Sequence, residues 1–252
     1  MKQRLLFAAI AALLFIPGLS KAQLADSCIN IWQVDAHYAF QLPGGDLAKK
    51  YGVNSSIGIG ITYKTRHNLM LGGEISYLFG NDIRRDSTIL DGLRSANGEI
   101  INEYGEYAKI ICSERGFYAG LNAGYVFSLG KPNSNSGIIF QLGGGLLQHH
   151  IRIENKDNNA PQVLGDYKKG YDRLTNGFAA KTFIGYQYLD SKRRFNFYAG
   201  FEFYQAWTKN RREYNFDTMS RDNNLYHDYL YSFKAGWILP IYYRTPDKFY
   251  YY

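Results

Sequence analysis

The chain has 252 residues, and its 23 Tyr, 16 Phe and 26 Gly against only 6 Pro suit one large all-β domain of aromatic strands and tight turns. No internal stretch reaches the roughly 18 consecutive apolar residues of a membrane-crossing helix, which argues against a helical membrane protein. The formal charge is +7, or +4 once Lys2, Arg4 and Lys21 of a predicted leader are set aside, and without a basic helix or stripe it points away from nucleic acid.

Residues 1–22 read as a secretory signal. Lys2 and Arg4 precede the apolar Leu5–Ile16, Pro17-Gly18 breaks it, and Ser20-Lys21-Ala22 supplies a small-x-small site before Gln23. The apolar core is too short to span a bilayer. Asp26 and Ser27 make a poor lipobox for Cys28, which argues against a lipid anchor. Cys28 and Cys112 are an even pair, but the topology below sets them near opposite ends of the molecule, against the Cα separation of about 7 Å that a disulfide tolerates. Neither has a metal-ligand partner nearby in sequence, and no metal or cofactor is expected.

Residues 23–252 then show eight strands of period two, at about 31–41, 55–64, 68–80, 115–129, 137–153, 177–189, 195–208 and 226–243. In the first, Trp32, Val34, Ala36, Tyr38 and Phe40 share one face; Gln33, Asp35 and His37 share the other. The second sets Ile57, Ile59 and Ile61 against Gly58, Gly60 and Lys64. The third sets Leu71, Ile75 and Tyr77 against Gly72 and Glu74. The fourth and fifth turn Phe117, Leu121, Tyr125, Ile138, Phe140 and Leu142 outward, with a bulge expected over Gln148–Arg152. The sixth carries Lys181 inward. The seventh, Phe195–Thr208, has Phe195, Phe197, Phe201, Phe203 and Trp207 on one face and Glu202 on the other. The eighth sets Tyr231, Phe233, Trp237 and Leu239 against Ser232 and Lys234.

Three links are short: Thr65–His67, Gly130–Ser136 and Asp190–Arg194. The others are longer, above all 81–114 and 154–176. An even strand count, apolar side chains outward, polar ones inward and long links confined to one end predict an eight-stranded antiparallel up-and-down transmembrane β-barrel. A soluble lipocalin-like barrel is the alternative, but it would turn its polar face outward.

From residue 31 to 243 the pattern resembles the small eight-stranded outer-membrane barrels of OmpA/OmpX-like architecture. The tyrosine-rich strands and the terminal Phe249, Tyr250, Tyr251 and Tyr252 are similar to Bacteroidetes outer-membrane barrels, including the PorT-like group. The resemblance implies an integral outer-membrane location, both termini in the periplasm, contact with outer-membrane lipid and lipopolysaccharide, and assembly by the barrel assembly machinery. It also implies that Phe249–Tyr252 is an assembly signal. Thr245-Pro246-Asp247-Lys248 interrupts the run from the last strand, so a periplasmic tag for another partner stays open.

The inward set of Asp35, His37, Lys64, Glu74, Lys181, Glu202 and Lys234 mixes three carboxylates with three lysines. That balance favours an internal ion-pair network over a selective pore, because an isolated buried charge is costly. Trp32, Tyr77, Trp207, Tyr242 and Tyr243 suit interfacial aromatic girdles. His149, His150 and His227 fall at the rim of the long-link end. A lipid-modifying enzyme would need such histidines, but rim polarity accounts for them. Lys209, Arg211 and Arg212 could meet lipid phosphates there. The leading expectation is a non-enzymatic barrel that binds a protein partner through 81–114 and 154–176 or through its tail. A narrow solute channel and a lipid-modifying enzyme are the alternatives.

Overall fold

The computed structural model describes residues 28–84, 89–129, 134–190 and 194–242, with residue 242 alone described only by its backbone. The predicted leader, Tyr243 and Phe249–Tyr252 lie outside the described residues. Eight strands follow one another: β1 (Ile31–Gly45), β2 (Asn54–Lys64), β3 (Leu69–Gly80), β4 (Ile110–Ser128), β5 (Gly137–Asn155), β6 (Thr175–Leu189), β7 (Asn196–Asn210) and β8 (Leu225–Tyr242). Each pairs antiparallel with the next, and β8 pairs with β1, so the sheet closes with no free edge.

Register decides what meets inside. From Asp35 the pairing runs through Gly60, Glu74, Gly120, Gly145, Ala179, Ala206 and Asp228, and returns to β1 at Gly45, ten residues further along. A stagger of that size tilts the strands by roughly 40° from the barrel axis. The alternation is inverted relative to a water-soluble protein. Leu121 is 74% and Phe201 68% exposed on the outer wall, whereas Glu202 and Lys181 are 3% and 2% exposed inside.

The lumen is narrow, and two glycines of β2 make room for its side chains. Gly58 and Gly60 lie opposite His37 and Asp35 in the β1–β2 register. A Cβ on Gly58 would sit 2.5 Å from His37 Nε2, and one on Gly60 would sit 2.4 Å from Asp35 Oδ1. These positions therefore carry no side chain, which lets the polar groups of β1 lie flat against the wall.

The strands reach beyond the expected ends where the long links attach. β4 begins at Ile110 and β5 continues to Asn155, paired without a break from Ser128–Gly137 to Ile110–Asn155. The bulge expected over Gln148–Arg152 is therefore absent: His149 and Ile151 are buried inside while Arg152 is exposed. Burial keeps its period of two there, but the outward positions carry Arg115, Arg152 and Glu154, so the apolar alternation that marks a strand in sequence is lost.

The short-link end is filled. Ile31, Leu189 and Ile238 form one apolar layer, and Met70, Val126, Ile139 and Phe183 another. The link before β5, expected from its composition to be a turn, sends Asn135 and Ser136 into full burial. Lys64 Nζ donates to Asn135 Oδ1 at 3.0 Å, and Leu189 N donates to Ser136 Oγ at 2.9 Å. Cys28 lies at this end, its thiol donating to Ser134 O at 3.2 Å, whereas Cys112 lies near the opposite end of β4; the two are not joined.

Candidate functional site

Midway through the lumen, β3, β6, β7 and β8 bring four charges together. Lys181 Nζ lies 2.5 Å from Glu74 Oε1 and 3.4 Å from Glu202 Oε1. Lys234 Nζ lies 2.8 Å from Glu74 Oε2 and 3.0 Å from Glu202 Oε1. Tyr204 donates its hydroxyl to Glu74 Oε1 at 3.4 Å. Two carboxylates against two ammonium groups leave no net charge, and each charge has partners, the condition under which buried ions are tolerated.

The other expected interior residues form separate groups. Asp35 Oδ2 lies 2.8 Å from His37 Nδ1 and accepts the Tyr198 hydroxyl at 2.8 Å, while His37 Nε2 meets Ser76 Oγ at 2.9 Å. Lys64 belongs to the short-link plug. Between the charged layer and that plug is a cavity of about 30 Å³ lined by Gln33, Asn122 and Gln187 among others. Among the described residues, Gln33 Nε2, Asn122 Oδ1 and Gln187 Oε1 have no protein partner. Groups of this kind are ordinarily satisfied by water, and a space of this size suits about one molecule.

Above the charged layer lies a second cluster. His149 Nε2 is 3.1 Å from Asp228 Oδ2, which also accepts Thr208 Oγ1 at 2.5 Å. His149 Nδ1 faces the Tyr51 hydroxyl at 3.4 Å, and the two rings meet edge to face with centroids 5.4 Å apart. Glu114 is fully buried beside them and accepts Asn54 Nδ2 at 2.8 Å. Burial holds the Tyr51 phenol well above its ordinary pKa, and the nearby Glu114 and Asp228 carboxylates act in the same sense. Tyr51 is therefore a neutral hydrogen-bonding cork. It follows α1 (Leu47–Lys50), the helical turn that drops into the mouth after β1.

The long links are packed on this cork. Leu47 and Tyr51 join Ile89, Leu90, Ile100, Ala108, Ala160, Val163 and Tyr171 in one buried apolar cluster, with Phe216 against it. Backbone bonds cross between links, from Gly52 N to Asp82 O at 2.8 Å and from Glu103 N to Asn159 O at 2.9 Å. Arg212 pairs with Asp172, its Nε at 2.8 Å from Oδ1, and Arg173 pairs with Asp217 and Asp222. The Asp172 hydrogen bonds raise the Arg212 pKa. The outer surface of this cap exposes Ile101, Tyr104, Tyr107 and Tyr167, with Tyr104 73% and Tyr167 63% exposed.

No family model matches the sequence, and no curated protein resembles it at a significant level. Some solved structures align with it over most of their length at low identity. Ail, the attachment invasion locus protein of Yersinia pestis, aligns over 84% of this chain and 99% of its own at 7% identity, with a TM-score of 0.45. The N-terminal β-barrel domain of Pseudomonas aeruginosa OprF aligns over 82% and 97% at 13% identity, with a TM-score of 0.36. OprG of the same organism aligns over 84% and 97% at 10% identity, also with a TM-score of 0.36. The barrel architecture rests on the strand pairing, which closes independently of these likenesses.

Of the residues singled out in the sequence, Glu74, Lys181, Glu202 and Lys234 meet directly, Asp35 and His37 form a second group, and Lys64 stands apart. Trp32 and Tyr77 lie on the outer wall, Trp32 with its ring centroid 4.9 Å from Tyr63; Trp207 stacks on Phe178 at 6.2 Å. The backbone of Tyr242 pairs with Ile31. His149 is a correction: it is 1% exposed and faces the lumen rather than the rim, while His227 is exposed. Arg212 is engaged by Asp172, and Arg211 Nε donates to Asn176 Oδ1 at 2.5 Å, so these cations serve the cap. Glu114 and Asp228 went unnoticed. Their signal was the inward parity of each strand, continued past the point where apolar outward residues stop.

Proposed function

We propose that the protein is an integral outer-membrane β-barrel that does not conduct, and that it works through its folded loop cap as a binding platform for a protein partner. The wall supports the membrane reading, because a closed barrel with Leu, Ile, Phe, Tyr and Trp outward suits lipid and not water. In this reading the short-link end faces the periplasm and the cap faces outside. The observation that carries the platform reading is the cap's own buried cluster: long links with a hydrophobic core hold Tyr104, Tyr107 and Tyr167 on a preorganised surface.

In this reading three features fill the barrel interior. Asn135 and Ser136 fill one end, the Glu74–Lys181–Glu202–Lys234 layer crosses the middle, and Tyr51 fills the other. Among the described residues, none of His149, His150 and His227 has a serine hydroxyl as partner. The test is cross-linking and affinity capture from the native envelope, comparing the wild-type chain with Tyr104→Ser/Tyr107→Ser/Tyr167→Ser. The triple variant is expected to fold and to lose one specific partner. An unchanged set of captured proteins would overturn the platform reading.

A further inference from the structure

Beside the Tyr51 cork, β1, β2 and β4 turn three oxygen atoms inward that no donor of the described residues meets. Gln41 on β1 pairs with Asn54 on β2, and Glu114 on β4 pairs with Gly80 at the end of β3. Asn54 Nδ2 donates to Glu114 Oε2 at 2.8 Å, and Gln41 Nε2 donates to Ser232 Oγ at 3.3 Å. These bonds fix which end of each amide is the nitrogen and leave the carbonyl oxygens free to accept. Among the described residues, Gln41 Oε1, Asn54 Oδ1 and Glu114 Oε1 are buried with no hydrogen-bond partner. All three residues are at most 3% exposed. Gly80 leaves the wall open between Asn54 and Glu114, since a Cβ there would lie 2.9 Å from Asn54 Cβ and 3.1 Å from Glu114 Oε2. Glu114 also lacks a cation. Its neighbour Arg115 turns outward and donates Nη1 to two backbone oxygens, those of Glu114 at 2.6 Å and Gly80 at 3.3 Å. Asp228, the other buried carboxylate near the cork, has His149 and Thr208 on its Oδ2.

We propose that Gln41, Asn54 and Glu114 hold a sodium ion. Two amide oxygens and one carboxylate oxygen are a hard, oxygen-only donor set, the kind that takes alkali and alkaline-earth cations. Among the described residues no three His, Cys, Asp or Glu side chains group around a common point, so a transition metal has no comparable site. The single carboxylate sets the charge. One monovalent ion neutralises it, whereas calcium takes six to eight oxygens, usually from several carboxylates. A water in the same place could donate two hydrogens but would leave the buried charge of Glu114 uncompensated. A proton on Glu114 would remove the charge but can serve only one of the two amide oxygens. A cation answers the charge and all three oxygens together. It also clips β1 and β4 to Asn54, three residues after Tyr51, so the seating of the cork depends on it. The site lies inside the barrel and is independent of what the cap binds.

Thermal unfolding of the full-length protein in detergent micelles, followed by tryptophan emission at constant ionic strength, provides the test. Replacing N-methylglucamine chloride by sodium chloride is expected to raise the midpoint, with the concentration dependence of one bound ion. Potassium is expected to act more weakly, because the gap beside Gly80 is small. Glu114→Gln removes the charge and is expected to fold with a midpoint that no longer depends on sodium. Gln41→Met keeps the bulk of the side chain but removes one oxygen, and is expected to weaken the apparent sodium affinity about tenfold. Glu154→Gln, an exposed carboxylate on β5, is expected to leave the sodium dependence unchanged. Should Glu114→Gln fail to fold, Gln41→Met decides the matter. Equal midpoints in sodium and N-methylglucamine would overturn the proposal, as would a sodium dependence that survives in the folded Glu114→Gln variant or in Gln41→Met. A stronger effect of potassium, or of millimolar calcium, would overturn it too.

Discussion

Glu74 spends both carboxylate oxygens on cations, one on Lys181 and one on Lys234, and accepts Tyr204 as well. Glu202 serves the same two lysines through a single oxygen. Removing one partner of a buried ion cluster strands the others, so Glu74→Ala is expected to destabilise the barrel by about 3–5 kcal/mol, and Glu202→Ala by less. Urea titration in micelles followed by tryptophan emission measures both; a larger loss for Glu202→Ala would contradict the geometry. Gly58 offers a second case at this scale. Its Cβ would collide with His37 Nε2 and Ile75 O, each at 2.5 Å, and Gly58→Ala is expected to cost about 1–3 kcal/mol. Gly92 has nothing within 4 Å, so Gly92→Ala is the matched control, expected to be close to neutral. The identity of the interior charges was legible from parity alone. Their pairing was not, because Glu74 meets Lys181 from 107 positions away and Lys234 from 160.

At the scale of the element, α1 and its sequel Tyr51 tie three links to the lumen. Tyr51 is fully buried, touches His149 and bridges to Ile83. Tyr51→Ala is expected to cost about 3–5 kcal/mol locally and to open the cap to protease, with the strands still resistant. The cap also depends on acid. Asp46 is held below the usual carboxylate range by the Lys49 hydrogen bond and the His227 N–H. Burial works against ionisation of Asp222, but the Tyr226 hydroxyl and the Asn224 N–H outweigh it and lower its pKa. Carboxylates with depressed folded pKa values contribute stability above their unfolded value near 3.8, and that contribution disappears as pH falls through the folded value. Pepsin digestion is therefore expected to cleave the links faster as pH drops below about 4, ahead of any loss of the barrel. Cleavage with no pH dependence would show that these contacts do not hold the cap. The links were the least legible elements in the sequence. Their apolar residues have no regular period, since they pack on one another from different links rather than on a single face.

For the whole molecule, plugs at both ends and a neutral charged layer between them predict a closed barrel. Planar bilayer recordings of the purified protein are expected to stay silent, and steady conductance steps would overturn the closed reading. Heat-modifiable migration and a β-dominated circular dichroism spectrum in detergent are expected for the barrel itself. The sequence alone determined the strand count, the inward and outward faces and the end that carries the long links. Each follows from a local period of two, which a strand imposes on its own residues. The tertiary structure decided what local period cannot encode: the ten-residue stagger that chooses interior partners, the continuation of β4 and β5 past the apolar band that buries Glu114 and His149, and the packing of separate links into one cap. Those features depend on closing the ring, because only then do residues far apart in the chain face one another across a narrow lumen.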